Sequence, residues 1–261
     1  MKKKLAFLLL FATANRLPAQ QGFQLAPPVV KMQTAYIRNP IAVEVRFHQP
    51  GAAVHYTFSN RDPLPTDSVY QSPISIKKEG TLRLKAMGEN FQSSETITLP
   101  FYNAGVRIDS ILTSPPQQSY QHQDPRTLND AVGGIANFRS GSWTGYNSDS
   151  VWIECRWKQP VLIRQLELAL LQDQASWIFL PKRIECLVQD QSTQKWKQVK
   201  FKDIPSMGKD SKKLCMEGFS WEKGLRTSAV KILMINHTKI PAWHESKGER
   251  AWIFIDEIFV K

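Results

Sequence analysis

Residues 251–260 read Ala251-Trp252-Ile253-Phe254-Ile255-Asp256-Glu257-Ile258-Phe259-Val260. The run is apolar on both faces at Trp252, Ile253, Phe254 and Ile255, which predicts a strand covered on both sides and therefore central in its sheet. Upstream lie shorter apolar-polar alternations. Ala229–Ile235, Lys195–Phe201, Arg183–Gln189, Val161–Leu171 and Val151–Trp157 are further predicted strands. Turn residues separate them, sustained helical periodicity is missing, and the chain holds 16 prolines. Many short strands between turn signals predict an all-β protein, and residues 104–261 are enough for a jelly-roll sandwich.

The segment before it, residues 26–102, has the same character on a smaller scale. Val43-Glu44-Val45-Arg46-Phe47 alternates, as does Val54-His55-Tyr56-Thr57-Phe58, which predicts Val54, Tyr56 and Phe58 inward. Thr81-Leu82-Arg83-Leu84-Lys85-Ala86 continues with Leu82, Leu84 and Ala86. Gln49-Pro50-Gly51 and Asn60-Arg61-Asp62-Pro63 are turn signals. The expectation is a small immunoglobulin- or fibronectin-like sandwich. Between the two modules, residues 113–123 are polar and rich in Pro and Gln. They read either as a linker or as an ordered arm laid along the second sandwich.

Met1-Lys2-Lys3-Lys4 followed by Leu5-Ala6-Phe7-Leu8-Leu9-Leu10-Phe11-Ala12 has the basic and apolar regions of a secretory signal peptide, assigned to residues 1–20. The apolar run is too short to span a bilayer and no later segment is long enough, so no transmembrane segment is expected. The chain is expected to be exported, whether it stays periplasmic, reaches the outer surface or is secreted. Its three cysteines, Cys155, Cys186 and Cys215, cannot all pair. Cys155 shares a face with Val151 and Ile153, and Cys186 with Ile184 and Val188, so both read as core residues. The net charge is +11, and Lys195, Lys197, Lys200, Lys202, Lys209, Lys212 and Lys213 crowd one segment. This cluster reads as a polyanion site or, preferably, as a solvated edge hairpin whose lysines oppose edge-to-edge pairing. Export argues against a nucleic-acid partner.

In the first module, Pro50-Gly51-Ala52-Ala53-Val54-His55-Tyr56-Thr57 is followed by Asp62-Pro63, Pro65-Thr66, Ser68-Val69-Tyr70-Gln71-Ser72-Pro73-Ile74 and the Thr81–Ala86 strand. This order resembles the β-sandwich domain attached to chitobiases and bacterial β-hexosaminidases. Ser59-Asn60-Arg61 stand where that family has Asp-Gly, so the turn is built differently. The second module resembles a discoidin-type (coagulation factor 5/8 type C) domain of the kind found at the C-terminus of bacterial hexosaminidases. The carrying residues are Leu128-Asn129-Asp130, Gly133-Gly134, Asn137-Phe138, Gly141-Ser142-Trp143-Thr144-Gly145-Tyr146, Leu171-Gln172-Asp173, Trp177-Ile178-Phe179-Leu180-Pro181, Pro241-Ala242-Trp243-His244 and Ala251–Ile258. The family's Gly-rich loop before the last strand is here the bulkier, charged Glu245-Ser246-Lys247-Gly248-Glu249-Arg250.

The second resemblance implies a structural calcium ion. Calcium needs several oxygen ligands; Asp130 and Glu257 match the family's acidic positions, with Leu128, Gly133, Asn137 and Ala251 as further candidates. A sugar site calls for exposed aromatic faces, because pyranose rings stack on them. Trp243 and His244 after Pro241, and Trp177 after Gln172-Asp173-Gln174-Ala175-Ser176, are the loop candidates, while Trp143 and Trp252 read as core. Asp256-Glu257 copies the adjacent acidic pair of hexosaminidases. Those enzymes carry it in a (β/α)8 barrel, nothing here alternates strand and helix, and neighbours on a strand point to opposite faces. No enzyme is expected. The reading is an exported carbohydrate-binding or accessory chain for a glycan, an N-acetylhexosamine-containing one among the candidates. The alternatives are a structural chain docking a separately encoded glycosidase and a hexosaminidase remnant.

Overall fold

The computed structural model describes residues 22–122, 124–190, 192–205 and 212–261. The signal segment at 1–20 and Lys209 lie outside these residues. Among the described residues no helix is long and apolar enough to cross a membrane.

The first module contributes β1 (Val29–Lys31), β2 (Tyr36–Ile37), β3 (Ile41–Arg46), β4 (Ala53–Thr57), β5 (Ser68–Val69), β6 (Ile74–Ile76), β7 (Gly80–Met87) and β8 (Ile97–Asn103). They form two sheets, ordered β1-β3-β6 and β2-β8-β7-β4-β5. On β3, Ile41, Val43 and Val45 are buried while Ala42, Glu44 and Arg46 face water, the alternation a half-buried strand requires. They meet Val54, Ile74, Leu82, Leu84 and Phe101 in one core. Phe58 departs from the inward expectation and is 55% exposed. Strand β4 ends at Thr57, so Phe58 lies in the turn and rests edge-on against Tyr56. In place of the family's Asp-Gly, Arg61 forks onto Asp67 with contacts of 2.6 and 2.8 Å.

The second module contributes β9 (Ser110–Thr113), β10 (Thr144–Tyr146), β11 (Ser150–Asp173), β12 (Arg183–Gln189), β13 (Trp196–Asp203), β14 (Lys212–Ile235) and β15 (Ile253–Val260). The path is β10-β15-β11-β14-β12-β13, with β9 beside β11. Strand β15 is buried along its whole length and lies between β10 and β11, the interior place its two apolar faces demanded. The predicted strands at 151–157 and 161–171 are two halves of β11. Its pairing with β14 shifts register between Arg156 and Val161 and between Ile163 and Gln165. Pro160, which has no N–H to donate, falls in that gap. The halves have different neighbours: Ile153–Arg156 pair with β9, and Leu166–Leu170 pair with β15. Long strands that change partners across a bend supply both layers of a sandwich. Val151, Ile153 and Cys155 meet Leu166, Leu168, Ile255 and Ile258 in its core.

Residues 212–220, absent from the predicted strands, form the first half of β14 against the C-terminal half of β11. At Gly218 a Cβ would lie 2.0 Å from the Leu166 carbonyl oxygen, so this pairing tolerates only glycine. Strand β13 is the sheet edge, with Lys197, Lys200 and Lys202 exposed along it, as the solvated-edge reading expects. Cys155, Cys186 and Cys215 are buried and free. Residues 113–122 of the Pro- and Gln-rich segment form an ordered arm. Gln117 N–H donates to the Gly145 carbonyl at 2.9 Å, and Tyr120 packs edge-on against Phe254 and Trp252.

Candidate functional site

Two loops meet at the end of the second sandwich where β15 begins. One leaves β11 through a 3-10 turn at Gln174–Ser176, and the other covers residues 237–251. The second loop closes on itself through backbone bonds: Ile240 N–H to Glu249 O at 2.7 Å, Gly248 N–H to Ile240 O at 3.1 Å, and Ala251 N–H to His237 O at 3.0 Å. The first is tied to the start of β15, where Trp252 N–H donates to Trp177 O and Phe179 N–H donates to Trp252 O.

His244 differs from its expected ligand-binding role. It is only 8% exposed. Its Nδ1 accepts the Ser246 N–H at 3.0 Å, which leaves Nε2 as the protonated nitrogen. Nε2 donates to the Gln174 carbonyl at 2.8 Å. Both ring nitrogens are engaged, so His244 locks the two loops together and has none left for a ligand.

Trp177 and Trp243 are the tryptophans that the two loops present to solvent, 42% and 39% exposed. Trp177 sits in the left-handed region at φ 61°, which a bulky residue adopts only where its surroundings impose it. The bonds from Gln174 and Trp252 to its backbone impose it here. Trp243 belongs to an aromatic group with Phe179 at 6.2 Å and His244 at 5.6 Å between ring centroids. His237 lies 5.9 Å from Phe179, and burial, with Lys182 nearby, lowers its pKa. The recess lined by Phe179, His237, Pro241 and Trp243 holds only about 30 Å³, so a ligand lies across it rather than in it. Neither Phe179 nor His237 stood out in sequence. Phe179 read as part of a motif, and His237 stood inside the sequon-like Asn236-His237-Thr238. Trp143 is buried, as expected.

Of the residues expected to hold calcium, Asp130, Gly133 and Glu257 lie elsewhere, at the junction of the modules, while Ala251 belongs to the loop end. Glu257 is 0% exposed and accepts the Ala131 N–H on both oxygens at 3.1 and 3.2 Å, with Arg38 Nη2 4.0 Å away. Burial raises its pKa to about 9. Asp256, equally buried, accepts the Tyr36 hydroxyl at 2.6 Å and the Gly134 N–H at 2.8 Å; burial raises its pKa as well. Gly133 packs so closely on Asp256 that a Cβ would lie 2.3 Å from Oδ2. Its carbonyl accepts the Ala35 N–H at 3.1 Å. Asp130 accepts Val132 N–H, Asn137 accepts Arg139 N–H, and the Ala251 carbonyl accepts from Asn236 and Asn147. Leu128 buries its side chain in the core. A calcium cage offers roughly six to eight oxygens to the ion. Here N–H and O–H donors engage Glu257 and one oxygen each of Asp256, Asp130 and Asn137, the candidates are spread between the junction and the loop end, and the set does not fit calcium. Among the described residues no group of three or more His, Cys, Asp or Glu could hold a metal.

Asp256 and Glu257 therefore act together as a clasp: they hold the 130–134 loop, and Asp256 also binds Tyr36 of the first module. Tyr36, Ala35, Ala104, Ala131, Ala169 and Phe259 form the apolar seam around it.

Residues 33–98 match the family model of the chitobiase/β-hexosaminidase C-terminal domain. Comparison with curated protein sequences finds no match. Similar solved structures include a fucolectin from striped bass (Morone saxatilis) serum, 14% identical over 58% of this chain with a TM-score of 0.38. The chain spans 45% of that fucolectin's length. A chitosan-binding module of a Paenibacillus chitosanase/glucanase is 11% identical, covering 61% of this chain and 98% of its own, with a TM-score of 0.37. The family 32 carbohydrate-binding module of Clostridium perfringens NanJ, in complex with galactose, is 11% identical, covering 58% of this chain and 91% of its own, with a TM-score of 0.38.

Proposed function

We propose that the chain is an exported, non-catalytic carbohydrate-binding protein whose second module presents Trp177 and Trp243 to a glycan. The observation that carries this reading is the pair of exposed indoles on two loops that His244 fixes to each other. An indole face supplies a large, rigid stacking surface with little side-chain entropy to lose. A rigid platform keeps its full area for the ligand, because no loop ordering opposes binding. The acidic pair that resembles a hexosaminidase centre is buried and engaged in the clasp, so the chain holds its glycan and leaves it intact. The first module serves as a spacer fixed to the second. The signal-like segment at 1–20 supports an address outside the cytoplasm.

A glycan array rich in N-acetylhexosamine-containing oligosaccharides, run with and without EDTA, tests this. Selective binding that EDTA leaves unchanged is the expected result. A flat array sinks the reading, and turnover of a chromogenic N-acetylglucosaminide overturns its non-catalytic half.

A further inference from the structure

A second concave site lies on the flank of the second sandwich, where the ordered arm passes over β9, β10 and the start of β11. It is a cavity of about 350 Å³, within the range of small-ligand sites, roughly 300–1,000 Å³. Its walls are apolar: Leu112, Pro115, Pro116, Pro125 and the Trp152 indole. Leu112 is 50% exposed on the outward face of β9, because its neighbour Ile111 takes the inward one. Polar groups are few and converge from the floor and rim: Thr113, Thr144, Tyr146, Gln121 and His122. No carboxylate, Lys or Arg lines it.

Two features show a built site rather than a surface dent. Thr144 is 4% exposed, and its hydroxyl has no hydrogen-bond partner in the protein; such a group carries an uncompensated desolvation cost. Its neighbour on the floor, Tyr146, is fully buried and oriented by Thr113, whose Oγ1 lies 3.0 Å from the phenol oxygen. The arm that forms one wall is held at its start by a reciprocal pair, Trp152 N–H to Ser114 Oγ at 2.8 Å and Ser114 N–H to Trp152 O at 2.9 Å. Lys231 Nζ, 5.3 Å from the Trp152 ring centroid, steadies the indole.

An uncharged cavity with an aromatic wall, proline C–H faces and a few hydroxyl and amide groups suits a ligand that is itself apolar on its faces and polar at its edges. We propose that this flank cavity is a second glycan site, which takes a neutral pyranose bearing an apolar substituent such as an acetamido methyl. It is independent of the loop-end platform, and the two together make the module bivalent for glycan.

The full chain carrying Trp177→Ala and Trp243→Ala isolates the flank. Titration with N-acetylglucosamine, N-acetylgalactosamine, galactose and N-acetyllactosamine is followed by amide and indole NMR shifts. At least one of these sugars should perturb Leu112, Gln121, Thr144 and Trp152 saturably. Thr144→Val, nearly isosteric, should weaken that binding about tenfold while leaving the thermal midpoint unchanged or raised, because it removes an unpaired buried hydroxyl. A set of shifts confined to the loop end of the wild type would overturn the flank site alone. Flank shifts with a silent loop end in the wild type would instead remove the loop-end reading and leave this one standing. Binding of free indole, with no response to any of the four sugars, would make the cavity an apolar-ligand site and overturn the proposal.

Discussion

Tyr36 and Asp256 stand at opposite ends of the chain, yet the phenol donates to the carboxylate at 2.6 Å where both are buried. A hydrogen bond to a buried carboxylate is worth about 1.5–3 kcal/mol. Tyr36→Phe should therefore lower unfolding free energy by about 2 kcal/mol, measured by urea denaturation. A double-mutant cycle with Asp256→Asn should show most of that loss as coupling. Glu257 gives a distinct pH signature. Its folded-state pKa is raised from 4.5 to about 9, mainly by burial, so the folded chain holds a proton that the unfolded chain releases. Its contribution is complete below about pH 4.5 and is lost as pH rises through about 9. The urea midpoint should fall across that window, and Glu257→Gln should flatten the fall; a wild-type profile in the variant would place the effect elsewhere. At this scale the sequence made the exposed tryptophans and the acidic positions legible. It could not show what the acids bind, because Tyr36 and the Ala131 and Gly134 amides reach them only through tertiary folding. His244 was readable as a loop residue, but its role depends on the Gln174 carbonyl of another loop.

At the level of elements, strong alternation predicted strands well and weak alternation did not. Strand β3 and the core of β7 show clean periods of two. The first half of β14 mixes half-buried Leu214 and Met216 with Gly218, so its pairing with β11 was invisible to pattern. Likewise, two predicted strands merge because register shifts and Pro160 interrupt one long element. The segment at 113–123 was open between linker and ordered arm, and its described residues are 113–122. They are ordered because Tyr120 finds Phe138, Trp252 and Phe254, three rings that sequence distance hides. Tyr120→Ala should leave the sandwich folded, costing about 1–3 kcal/mol for the lost aromatic packing. It should sharply raise proteolytic cleavage within the arm. Unchanged cleavage would mean the arm is held by its backbone bonds alone.

Across the whole molecule, two sandwich cores meet at an apolar seam closed by buried carboxylates. Additional ties are Lys261 to Glu79 at 3.1 Å and Ala104 N–H to the Ile37 carbonyl at 3.0 Å. Because the Ala131 and Val132 amides already engage Glu257 and Asp130, EDTA should leave the thermal midpoint of the full chain unchanged; a clear drop would restore a metal to the junction. The seam also fixes the first module against the second while leaving the Trp177–Trp243 end exposed to solvent.

That end carries the central claim, and a fluorescence titration of the full chain tests it most directly. Wild type, Trp177→Ala and Trp243→Ala are titrated with the oligosaccharide that ranks first on the array, with the flank variant Thr144→Val as a control. The account predicts a saturable change in wild type and at least about a tenfold rise in Kd for Trp243→Ala, equivalent to about 1.4 kcal/mol. Trp177→Ala should give a comparable loss, and Thr144→Val should keep its loop-end signal. Equal Kd values for wild type and both tryptophan variants would contradict it.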